Sequence, residues 1–477
     1  MMRSIREAAV VVPVCGPRVL LCERAAHLRF LPGFYSFPGG AVEPGDDEPQ
    51  TEGPGPRAPR HAALRELIEE VGVGQPPAPR GGGEWGPAQW AKQTDWSRWR
   101  YLGEWTTPAY AHIRFRTHFF SYELDACVPP SPNPEVAQAF WAERDEVVAR
   151  WRRGELPATP PVLAALDVAL GHAEPFERAG DERSVLCAGG AIAYLPLVTP
   201  TLPPATHTNC CFVHGGGELY VVDPAPTDPE ERSLLWRSIQ DLSAEGGALA
   251  GVILTHLHHD HLGAAAWLAE RAQVPILASE QTRLDLASGL GGGMSAGGYR
   301  SDALPVVTHD LCDGDLIAGD WRIVATPGHA RGHICLWHER TGSLIAGDMI
   351  ASGSTILIEP EQGDMGLYLQ SLERLAALEP RLIVPSHGLP LARGREALLG
   401  LRDHRLKREQ KTLQALQATE PAERAALVGH VYDDTPSFLW PLAELSLQSH
   451  LEKLEREGRV RRSVDGQWSV DARGEPA

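Results

Sequence analysis

The 477-residue chain lacks a hydrophobic run that approaches the roughly 20 apolar residues needed for a membrane-spanning helix. Its first segment, MMRSIREAAVVVPVCGPRVLLCER, has only a short apolar run, which Pro13 interrupts. This pattern predicts a pair of strands and argues against a signal peptide. We therefore expect a soluble, cytoplasmic protein without a membrane partner.

The chain also lacks the motifs of several common site classes. Its eight cysteines form no CxxC pair and no framework spacing, which excludes a zinc ribbon and a disulfide scaffold. Scattered cysteines are typical of reduced thiols in a reducing compartment. No GxSxG elbow follows a suitable strand and no Walker-type phosphate loop occurs, so a Ser-His-Asp site and a P-loop site are not favoured.

Positive charge is scarce, because 44 lysines and arginines face 62 aspartates and glutamates, and the formal net charge is −18. This balance disfavours a broad electrostatic contact with nucleic-acid phosphates, although a local basic groove depends only on where the charges lie. Basic residues that could form such a groove occur towards the C-terminus: Arg405, Lys407, Arg408, Arg459, Arg461 and Arg462. Their alternative role is to solvate exposed helices.

Three stretches of the chain differ in texture. Up to about residue 175 the sequence is rich in tryptophan and in Pro/Gly insertions, and the polar segment PFERAGDERS at 175–184 predicts a linker. From there to about 395, short β-like runs alternate with helical ones, which predicts an α/β layered domain. Helices followed by two strands with a central Asp-Gly turn then predict a small winged-helix unit. We expect three domains, at 1–175, 184–395 and 400–471.

Four histidines and an aspartate crowd into ILTHLHHDHLGA at 253–264, directly after a β-like run. Three further candidate ligands follow later β-like runs: His329 after RIVA, Asp348 after SLIA and His387 after RLIV. Functional groups of open α/β sheets gather beyond the carboxyl ends of strands. We therefore expect these side chains to meet at one edge. Unrelated polar loop residues are the alternative for any single histidine, but the shared strand-end setting weighs against it for the whole set.

Imidazole and carboxylate groups suit zinc, and two zinc ions about 3.5–4 Å apart can share a water whose pKa falls to about 7. The predicted ligands are His256, His258 and His329 for one metal and Asp260, His261 and His387 for the other, with Asp348 bridging. The shared water is the predicted nucleophile, and Asp260 could also orient it. Asp223 either holds a ligand histidine or forms a turn before Pro224, whereas His259, His333 and His338 are expected outside the ligand set.

These motifs, THLHHDHLG with TPGHARGH, AGDM and PSHG, resemble those of the metallo-β-lactamase fold family. The resemblance covers about 184–395 and implies a four-layer αββα sandwich with metal-dependent hydrolase activity. The segment VYDDTPSFLWPLAELSLQSHLEKLEREGRV resembles the winged domain of the lactamase-β-like endoribonuclease branch of that family. One departure is Ala330, where many relatives have Thr or Ser, and it touches no predicted ligand.

An earlier segment, RHAALRELIEEVGV at 60–73, places Glu66, Glu69 and Glu70 on one face of a predicted helix. Like charges so close repel unless a hard cation such as Mg²⁺ lies between them, and a solvated acidic face is the alternative. With the preceding Gly-Gly, the segment resembles the box of Nudix hydrolases. The resemblance implies an α/β/α Nudix-like domain whose glutamates, Glu69 and Glu70 among them, bind Mg²⁺ or Mn²⁺ and cleave a pyrophosphate.

Two departures from the Nudix box leave the activity of this first domain open. Asp46 stands where a Glu is usual, and the insertion DEPQTEGPGPRAP lengthens the connection before the helix. A surface insertion costs little closure entropy, so the fold can accommodate it. The upstream stretch LLCERAAHLRFLPGFYSFPGG resembles coenzyme A-directed Nudix enzymes, and an inactive binding module is the alternative.

Three functions follow for the whole chain. The first is a two-zinc phosphodiesterase that cleaves single-stranded RNA with help from the winged domain. The second is a glyoxalase II-like hydrolase of a thioester or ester, such as an acyl-CoA. The third is a non-catalytic regulator that binds a nucleotide or nucleic acid, and the complete ligand set argues against it. The Gly-rich stretch at 288–302 is either a mobile lid or a plain loop.

Overall fold

The computed structural model describes residues 5–47, 51–75, 86–111, 113–179, 183–290, 304–419 and 421–471. The candidate lid at 288–302 lies almost wholly outside these residues. The chain divides into two compact units. Unit 1 comprises Met1–Leu195 and Leu389–Ala392, and unit 2 comprises Pro196–Gly388 and Arg393–Ala477. Among the described residues, no helix has both the length and the apolar character needed to cross a bilayer.

Unit 1 is built on one mixed sheet. Its strands are β1 (Arg6–Cys15), β2 (Arg18–Arg24), β3 (Tyr35–Ser36), β4 (Gly39–Ala41), β5 (Trp99–Thr106), β6 (Phe115–Glu123), β7 (Val136–Glu143) and β8 (Phe176–Ala179). The strand order is β3-β2-β1-β6-β5-β8, with β4 paired to β1 and β7 paired to β2. The helices are α1 (Arg57–Val71), α2 (Pro87–Gln93), α3 (Arg144–Arg152) and α4 (Pro160–Ala169). The short hairpin strand β9 (Leu186–Cys187) follows.

The sheet of unit 1 is covered on both faces. Successive side chains of a strand point to opposite faces, so Val11 and Val12 of β1 enter different cores. Helix α1 packs Leu64 and Leu67 on the face of Val11, while α4 packs Leu166 on the face of Val12. The predicted α/β/α layering is therefore confirmed.

Two expectations for unit 1 are wrong. The predicted linker at 175–184 is partly a strand, because Phe176 of β8 pairs with Gly103 of β5. The expectation that the thiols are all reduced fails for Cys15 and Cys127, which form a disulfide with their Cα atoms 5.4 Å apart. These two cysteines are separated by 112 positions, so spacing along the chain does not reveal the pair.

Unit 2 begins within β10 (Ala193–Val198) and contains two sheets. The first has the order β15-β14-β13-β12-β11 and is formed by β11 (His207–Gly215), β12 (Glu218–Val222), β13 (Ala248–Ile253), β14 (Ile276–Ala278) and β15 (His309–Asp310). The second runs β16 to β20 in chain order: β16 (Leu316–Ile317), β17 (Trp321–Ala325), β18 (Ile334–His338), β19 (Ser343–Ile345) and β20 (Leu382–Val384). The short strand β21 (Leu391–Ala392) follows.

The helices of this α/β part are α5 (Pro229–Gly246), α6 (His259–Leu262), α7 (Ala265–Ala272), α8 (Glu280–Ala287) and α9 (Met365–Ala376). Helices α5 and α7 contact β13. All the β-like runs identified in the sequence of this part are strands in the structure. The candidate ligands therefore follow the ends of β13, β17, β19 and β20, as predicted.

The C-terminal part consists of α10 (Gly394–Thr419), α11 (Arg424–Val431), α12 (Trp440–Arg456), β22 (Val460–Arg462) and β23 (Trp468–Val470). Strands β22 and β23 form an antiparallel wing, and Gly466 in its turn has a φ of 81°. Only glycine adopts this backbone without strain. Leu447, Leu451 and Trp468 bury their side chains in one core. The predicted winged helix is confirmed.

A buried carboxylate attaches the winged helix to α10. Glu409 is 4% exposed, and it accepts hydrogen bonds from Lys453 Nζ at 2.7 Å and Arg459 Nη1 at 3.0 Å. Burial alone would raise the pKa of Glu409, but His450 and Lys453 outweigh that effect and lower it to about 2.

We expect Glu409→Gln to lower the free energy of unfolding at pH 7 by about 3 kcal/mol, because it removes the buried negative charge that Lys453 and Arg459 contact. The folded pKa lies below the unfolded value, so the stabilisation is present above about pH 5 and is lost as pH falls towards 2. Urea titrations between pH 3 and 8 measure it. Glu457→Gln is the control, because this carboxylate touches the same Lys453 and Arg459 but is 41% exposed. Equal destabilisation by both variants would refute the prediction.

Candidate metal centre and carboxylate cluster

Three histidine side chains, buried at His256 and His329 and half-buried at His258, converge beyond β13 and β17. His258 Nδ1 lies 3.0 Å from His256 Nε2 and 2.9 Å from His329 Nε2, and the last two atoms are 3.3 Å apart. Burial lowers the pKa of each of these imidazoles, so all three are neutral. A neutral imidazole carries one N–H and one lone pair.

The outer nitrogens of the three rings show where their protons are. His329 Nδ1 donates to Leu357 O at 2.8 Å, and His258 Nε2 donates to Gln362 Oε1 at 3.0 Å. His256 Nδ1 donates to Thr255 Oγ1 at 2.9 Å, because the Thr255 hydroxyl hydrogen is given to a carboxylate. Three lone pairs therefore face one another across about one hydrogen-bond length. That arrangement repels itself unless a cation lies between them, so the group fits a metal ion.

A second group lies beside the first. His387 Nδ1 donates to His207 O at 3.0 Å, which leaves its Nε2 as the acceptor, and that atom lies 3.5 Å from Asp260 Oδ2. His261 Nε2 lies 3.9 Å from Asp260 Oδ1. Both Nε2 atoms are buried without a hydrogen-bond partner among the described residues. These two nitrogens without partners, beside a carboxylate, also fit a metal ion.

The charge of this second group calls for a cation. Burial would lower the pKa of His261, but Asp223 and Asp348 outweigh it and raise the pKa to about 10. The pKa of Asp260 is held below its usual range by His261 and His387 against the opposite effect of burial. A positive charge at His261 Nε2 is thus favoured, and a metal ion bound there would supply it.

Asp348 faces both groups. Its Oδ2 lies 3.5 Å from His329 Nε2, and its Oδ1 lies 3.6 Å from His261 Nε2 and 3.5 Å from His387 Nε2. The preceding Gly347 has a φ of 52°, and a Cβ there would come within 2.4 Å of His333 Nε2. The structure brings all seven predicted ligands together, while the division into two metal sites and the bridging role of Asp348 stay predictions.

The predicted carboxylate cluster lies on α1 in unit 1. Glu70 Oε2 accepts a hydrogen bond from Gly39 N at 2.9 Å, and a Cβ at Gly40 would meet Glu66 Oε1 at 2.3 Å. The two glycines therefore let the loop approach the carboxylates closely. Burial raises the pKa of Glu66 and raises that of Glu70 to about 8. Glu69 is 43% exposed at its side chain. The charge of Glu66 contributes to the raised pKa of Glu70, and the binding of a divalent cation by the three glutamates stays a prediction.

Asp46 has a defined partner on this helix. It is 4% exposed, and its two carboxylate oxygens accept from Arg65 Nε and Nη2, each at 3.1 Å. Arg65 Nη1 donates to Glu66 Oε1 at 2.8 Å and Glu69 Oε2 at 3.3 Å. Asp46 thus orients Arg65, which in turn binds Glu66 and Glu69. The Asp46 side chain is shorter than the usual glutamate, but it still reaches Arg65.

Three family models match the chain. They are the NUDIX domain over 5–162, the metallo-beta-lactamase superfamily over 203–387 and the beta-lactamase associated winged helix domain over 425–468. The chain carries these three domains, in that order. Both enzyme families indicate a hydrolase, and the predicted domain limits of 1–175, 184–395 and 400–471 stay predictions.

Relatives resemble the second half of the chain. "Beta-lactamase-like protein 2 homolog" of Drosophila melanogaster is 28% identical over 276 residues, which is 55% of this chain and 88% of the relative. Hydroxyacylglutathione hydrolase of Halorhodospira halophila is 33% identical over 135 residues, 27% of this chain and 44% of the relative. A beta-lactamase domain protein from Burkholderia ambifaria superposes with a TM-score of 0.51 at 25% identity, covering 59% of this chain and 91% of that one.

Residues outside the predicted ligand set hold the metallo-beta-lactamase site in place. Asp223 has a φ of 52° and accepts from Thr255 N at 2.8 Å, Thr255 Oγ1 at 2.6 Å and His261 Nδ1 at 2.8 Å. It therefore holds a ligand histidine, which was one of its two predicted roles. His333 Nε2 accepts a hydrogen bond from Asp348 N at 3.0 Å, so this histidine contacts the backbone of a predicted ligand. His259 instead donates to Pro200 O at 2.7 Å, outside both groups as expected.

Asp223→Asn is expected to weaken metal binding at the His261 group by about 10–100-fold, since the amide no longer fixes the ring through a charged acceptor. Competition with a chromogenic chelator measures the affinity. Asp228→Asn is the control, because Asp228 caps α5 and lies on the same connection without touching a ligand. Unchanged affinity in Asp223→Asn would contradict the assigned contact.

A cavity of about 480 Å³ lies over the metallo-beta-lactamase site within unit 2. Asp260, His329 and Asp348 line its floor. Its walls come from loops of the same domain and from the C-terminal part: Thr201 to Ala205, 353–357, His404, Arg405, Arg408, Tyr432, Asp434, Leu439 and Leu442. The winged-helix segment therefore shapes the space in which a substrate must lie.

Arg405 and Arg408, which the sequence offers as part of a local basic groove on the surface, are instead buried in this wall. The surface groove is therefore wrong for these two residues. Arg405 is 3% exposed, donates to Ile356 O and lies 5.5 Å from the centre of the Tyr368 ring. Arg408 is 7% exposed and donates to both oxygens of Asp434, at 2.9 and 3.1 Å. The charge of Arg408 is thus largely neutralised by Asp434.

Proposed function

We propose that the metallo-beta-lactamase domain hydrolyses a thioester or ester of a small molecule. The observation that carries this proposal is the cavity of about 480 Å³, which has the size of a small-molecule site. Its arginines are engaged by protein partners, and Leu439 and Leu442 add apolar surface. The similarity to a hydroxyacylglutathione hydrolase supports the same reaction type.

Two divalent metals, proposed to be zinc from the imidazole and carboxylate donors, would supply an activated water and polarise the scissile carbonyl when bound. His256, His258 and His329 would hold one, Asp260, His261 and His387 the other, and Asp348 would lie between them. Asp260 and Asp348 would accept the proton of the attacking water. The surrounding wall limits the access of bulk water to the scissile bond.

One polar group of the wall has no protein partner among the described residues. Tyr432 Oη is buried with no hydrogen-bond partner among the described residues, and burial raises the pKa of this phenol, so it stays a donor at neutral pH. A buried donor without a partner is costly. We propose that it donates to a polar atom of the substrate.

Tyr432→Phe is expected to raise KM about fivefold with a small change in kcat, because one hydrogen bond to the bound substrate is lost. Steady-state kinetics on the preferred thioester separate the two constants. The matched control is Tyr220→Phe, whose hydroxyl bonds Glu218 on β12, away from the cavity. A KM equal to that of the parent would mean that Tyr432 makes no substrate contact.

The test compares two probe classes on the full chain loaded with zinc. S-lactoylglutathione and short-chain acyl-CoA thioesters report thioester hydrolysis, and a labelled single-stranded RNA reports phosphodiester cleavage. Each assay is run beside Asp348→Ala to exclude contaminating enzymes. Thioester hydrolysis by the parent but not by Asp348→Ala supports the proposal. RNA cleavage by the parent but not by Asp348→Ala, without thioester hydrolysis, replaces it with the second candidate.

The second candidate is the cleavage of single-stranded RNA. The observation that favours it is the contribution of the winged-helix segment to the cavity, with His404, Arg405 and Arg408 beside the metal ligands. A phosphate could compete with Asp434 for Arg408. The paired state of Arg408 and the net charge of −18 make this the weaker candidate. The predicted cytoplasmic location stays a prediction under either function.

We further propose that the Nudix domain hydrolyses the pyrophosphate bond of a nucleotide-linked compound such as coenzyme A. Glu66, Glu69 and Glu70 would hold Mg²⁺ or Mn²⁺, which would neutralise the phosphates and orient the attacking water. The contact between Asp46 and Arg65 supports an active domain, because it keeps the glutamates in place. A non-catalytic regulatory role would leave these assembled carboxylates without a use.

A further inference from the structure

A second cavity, of about 680 Å³, lies within unit 1. Aromatic and aliphatic side chains dominate its lining, among them Val10, Phe30, Phe34, Phe37 and Trp105. Phe115, Thr117 and Phe119 also line it, because alternate residues of β6 point to the same face. Ligand cavities typically hold about 300–1,000 Å³ and are mostly apolar. This space therefore has the size and the surface of a ligand site.

The cavity reaches the carboxylate cluster at one end. Gly39 belongs to its lining, and the N–H of Gly39 donates to Glu70 Oε2 at 2.9 Å. Arg24 also lines it, and burial lowers the pKa of its guanidinium although the nearby Glu70 carboxylate opposes that effect. A group attached to a pyrophosphate at the glutamates would therefore extend into the cavity.

The polar groups of the lining are largely committed to protein partners. Arg24 Nε donates to Phe30 O at 3.0 Å, Thr107 Oγ1 accepts from Phe115 N at 3.2 Å, and Tyr35 Oη lies 3.2 Å from Gln138 Nε2. These three groups are therefore not free to bind the edge of a nucleobase.

The aromatic rings of the cavity pack edge to face. Phe30 and Phe115 have centroids 5.7 Å apart at 69°, and Phe119 meets Phe176 at 5.5 Å and 75°. Edge-to-face rings fill one another's faces and do not form a parallel slot for a planar base. An aliphatic chain fits such a lining better than a nucleobase does.

We propose that this cavity binds an alkyl or acyl chain carried by the pyrophosphate substrate, so that the Nudix domain acts on apolar conjugates. The inference rests on the proposed pyrophosphatase function. In the reaction, water adds its hydroxyl to one phosphorus, the bridging P–O bond breaks, and the departing phosphate takes the proton. The chain leaves with its own phosphate, and nothing is oxidised or reduced.

The experiment uses ADP esterified at its β-phosphate with methyl, butyl, octyl or dodecyl alcohol, together with Mg²⁺ and the full chain. Each methylene buried in the cavity is expected to lower KM about fourfold until the cavity is filled. A KM that does not depend on chain length would overturn the proposal. A KM that changes when the base is replaced, but not with the chain, would assign the cavity to the nucleobase and would also overturn it.

Thr117→Trp should fill the cavity, abolish the chain-length dependence and leave the KM of the methyl ester within about twofold. Arg116→Trp places the same side chain at the next residue, which faces away and is 43% exposed, so it should behave as the parent does. Equal loss for methyl and dodecyl esters in a folded Thr117→Trp would refute the assignment. If that variant does not fold, Phe30→Ala serves instead, and it should weaken only the long-chain esters.

Calorimetric binding to the Glu69→Gln/Glu70→Gln variant separates the two proposals. Tighter binding of the dodecyl than of the methyl ester, with no hydrolysis by the parent, would retain the chain site and reject the pyrophosphatase. Hydrolysis by the parent with equal binding of both esters would retain the pyrophosphatase and reject the chain site.

Discussion

Replacing Asp348 with alanine is expected to lower the kcat/KM of the metallo-beta-lactamase domain by about 10³-fold or more. The reason is geometric, since Asp348 faces His329, His261 and His387 at 3.5–3.6 Å and so reaches both histidine groups. Its loss would remove the carboxylate that we predict the two metal sites share.

Turnover of the best thioester or RNA probe measures this effect, with metal content and thermal melting recorded on the same samples. Asp320→Ala is the matched control, because this aspartate is 56% exposed on the same domain and its ion-pair partners, His338 and Arg340, are not predicted ligands. We expect it to keep full activity. Full turnover by Asp348→Ala would show that the carboxylate does not connect the two groups, even though the fold survives.

The double variant Glu69→Gln/Glu70→Gln is expected to lower any pyrophosphatase activity by about 10²–10⁴-fold and to leave thioester or RNA turnover unchanged. Glutamine keeps the shape of the side chain but removes the charge that attracts a divalent cation. The two activities should separate because the carboxylates lie in unit 1 and the histidine groups in unit 2.

Phosphate release from ADP esters and turnover at the metallo-beta-lactamase site are measured on one preparation. Glu146→Gln serves as the control, since Glu146 lies on α3 with a side chain 54% exposed and should change neither activity. If the double variant lost both activities while remaining folded, the two domains would be functionally coupled.

The sequence predicts the convergence of the candidate ligands because its information is local. Each ligand follows a short strand, and functional groups gather beyond the carboxyl ends of strands, so His256, His329 and His387 could be expected together without any coordinates. The sequence does not show that these strands belong to two sheets, with β13 in one and β17 and β20 in the other. The same holds for Glu66, Glu69 and Glu70, whose positions on one helix face follow from helical spacing.

What could not be predicted depends on contacts between distant segments. The partner of Asp46 is Arg65, the disulfide joins Cys15 to Cys127, and Arg408 pairs with Asp434 across a turn of the winged part. Composition marks all of these as ordinary polar residues or scattered thiols. The role of Asp223 could be predicted only as one of two alternatives. It precedes a proline in the sequence, as a turn residue does, yet its carboxylate binds His261 in the structure.

The wall that α10 and the winged helix build over the metallo-beta-lactamase site is encoded by a different part of the chain from the candidate metal ligands. Every candidate metal ligand lies before residue 388, whereas Arg408, Tyr432, Leu439 and Leu442 lie after it. Mutations in that last stretch can therefore change which molecule enters without touching the chemistry. The choice of substrate can drift in evolution while the reaction type stays fixed.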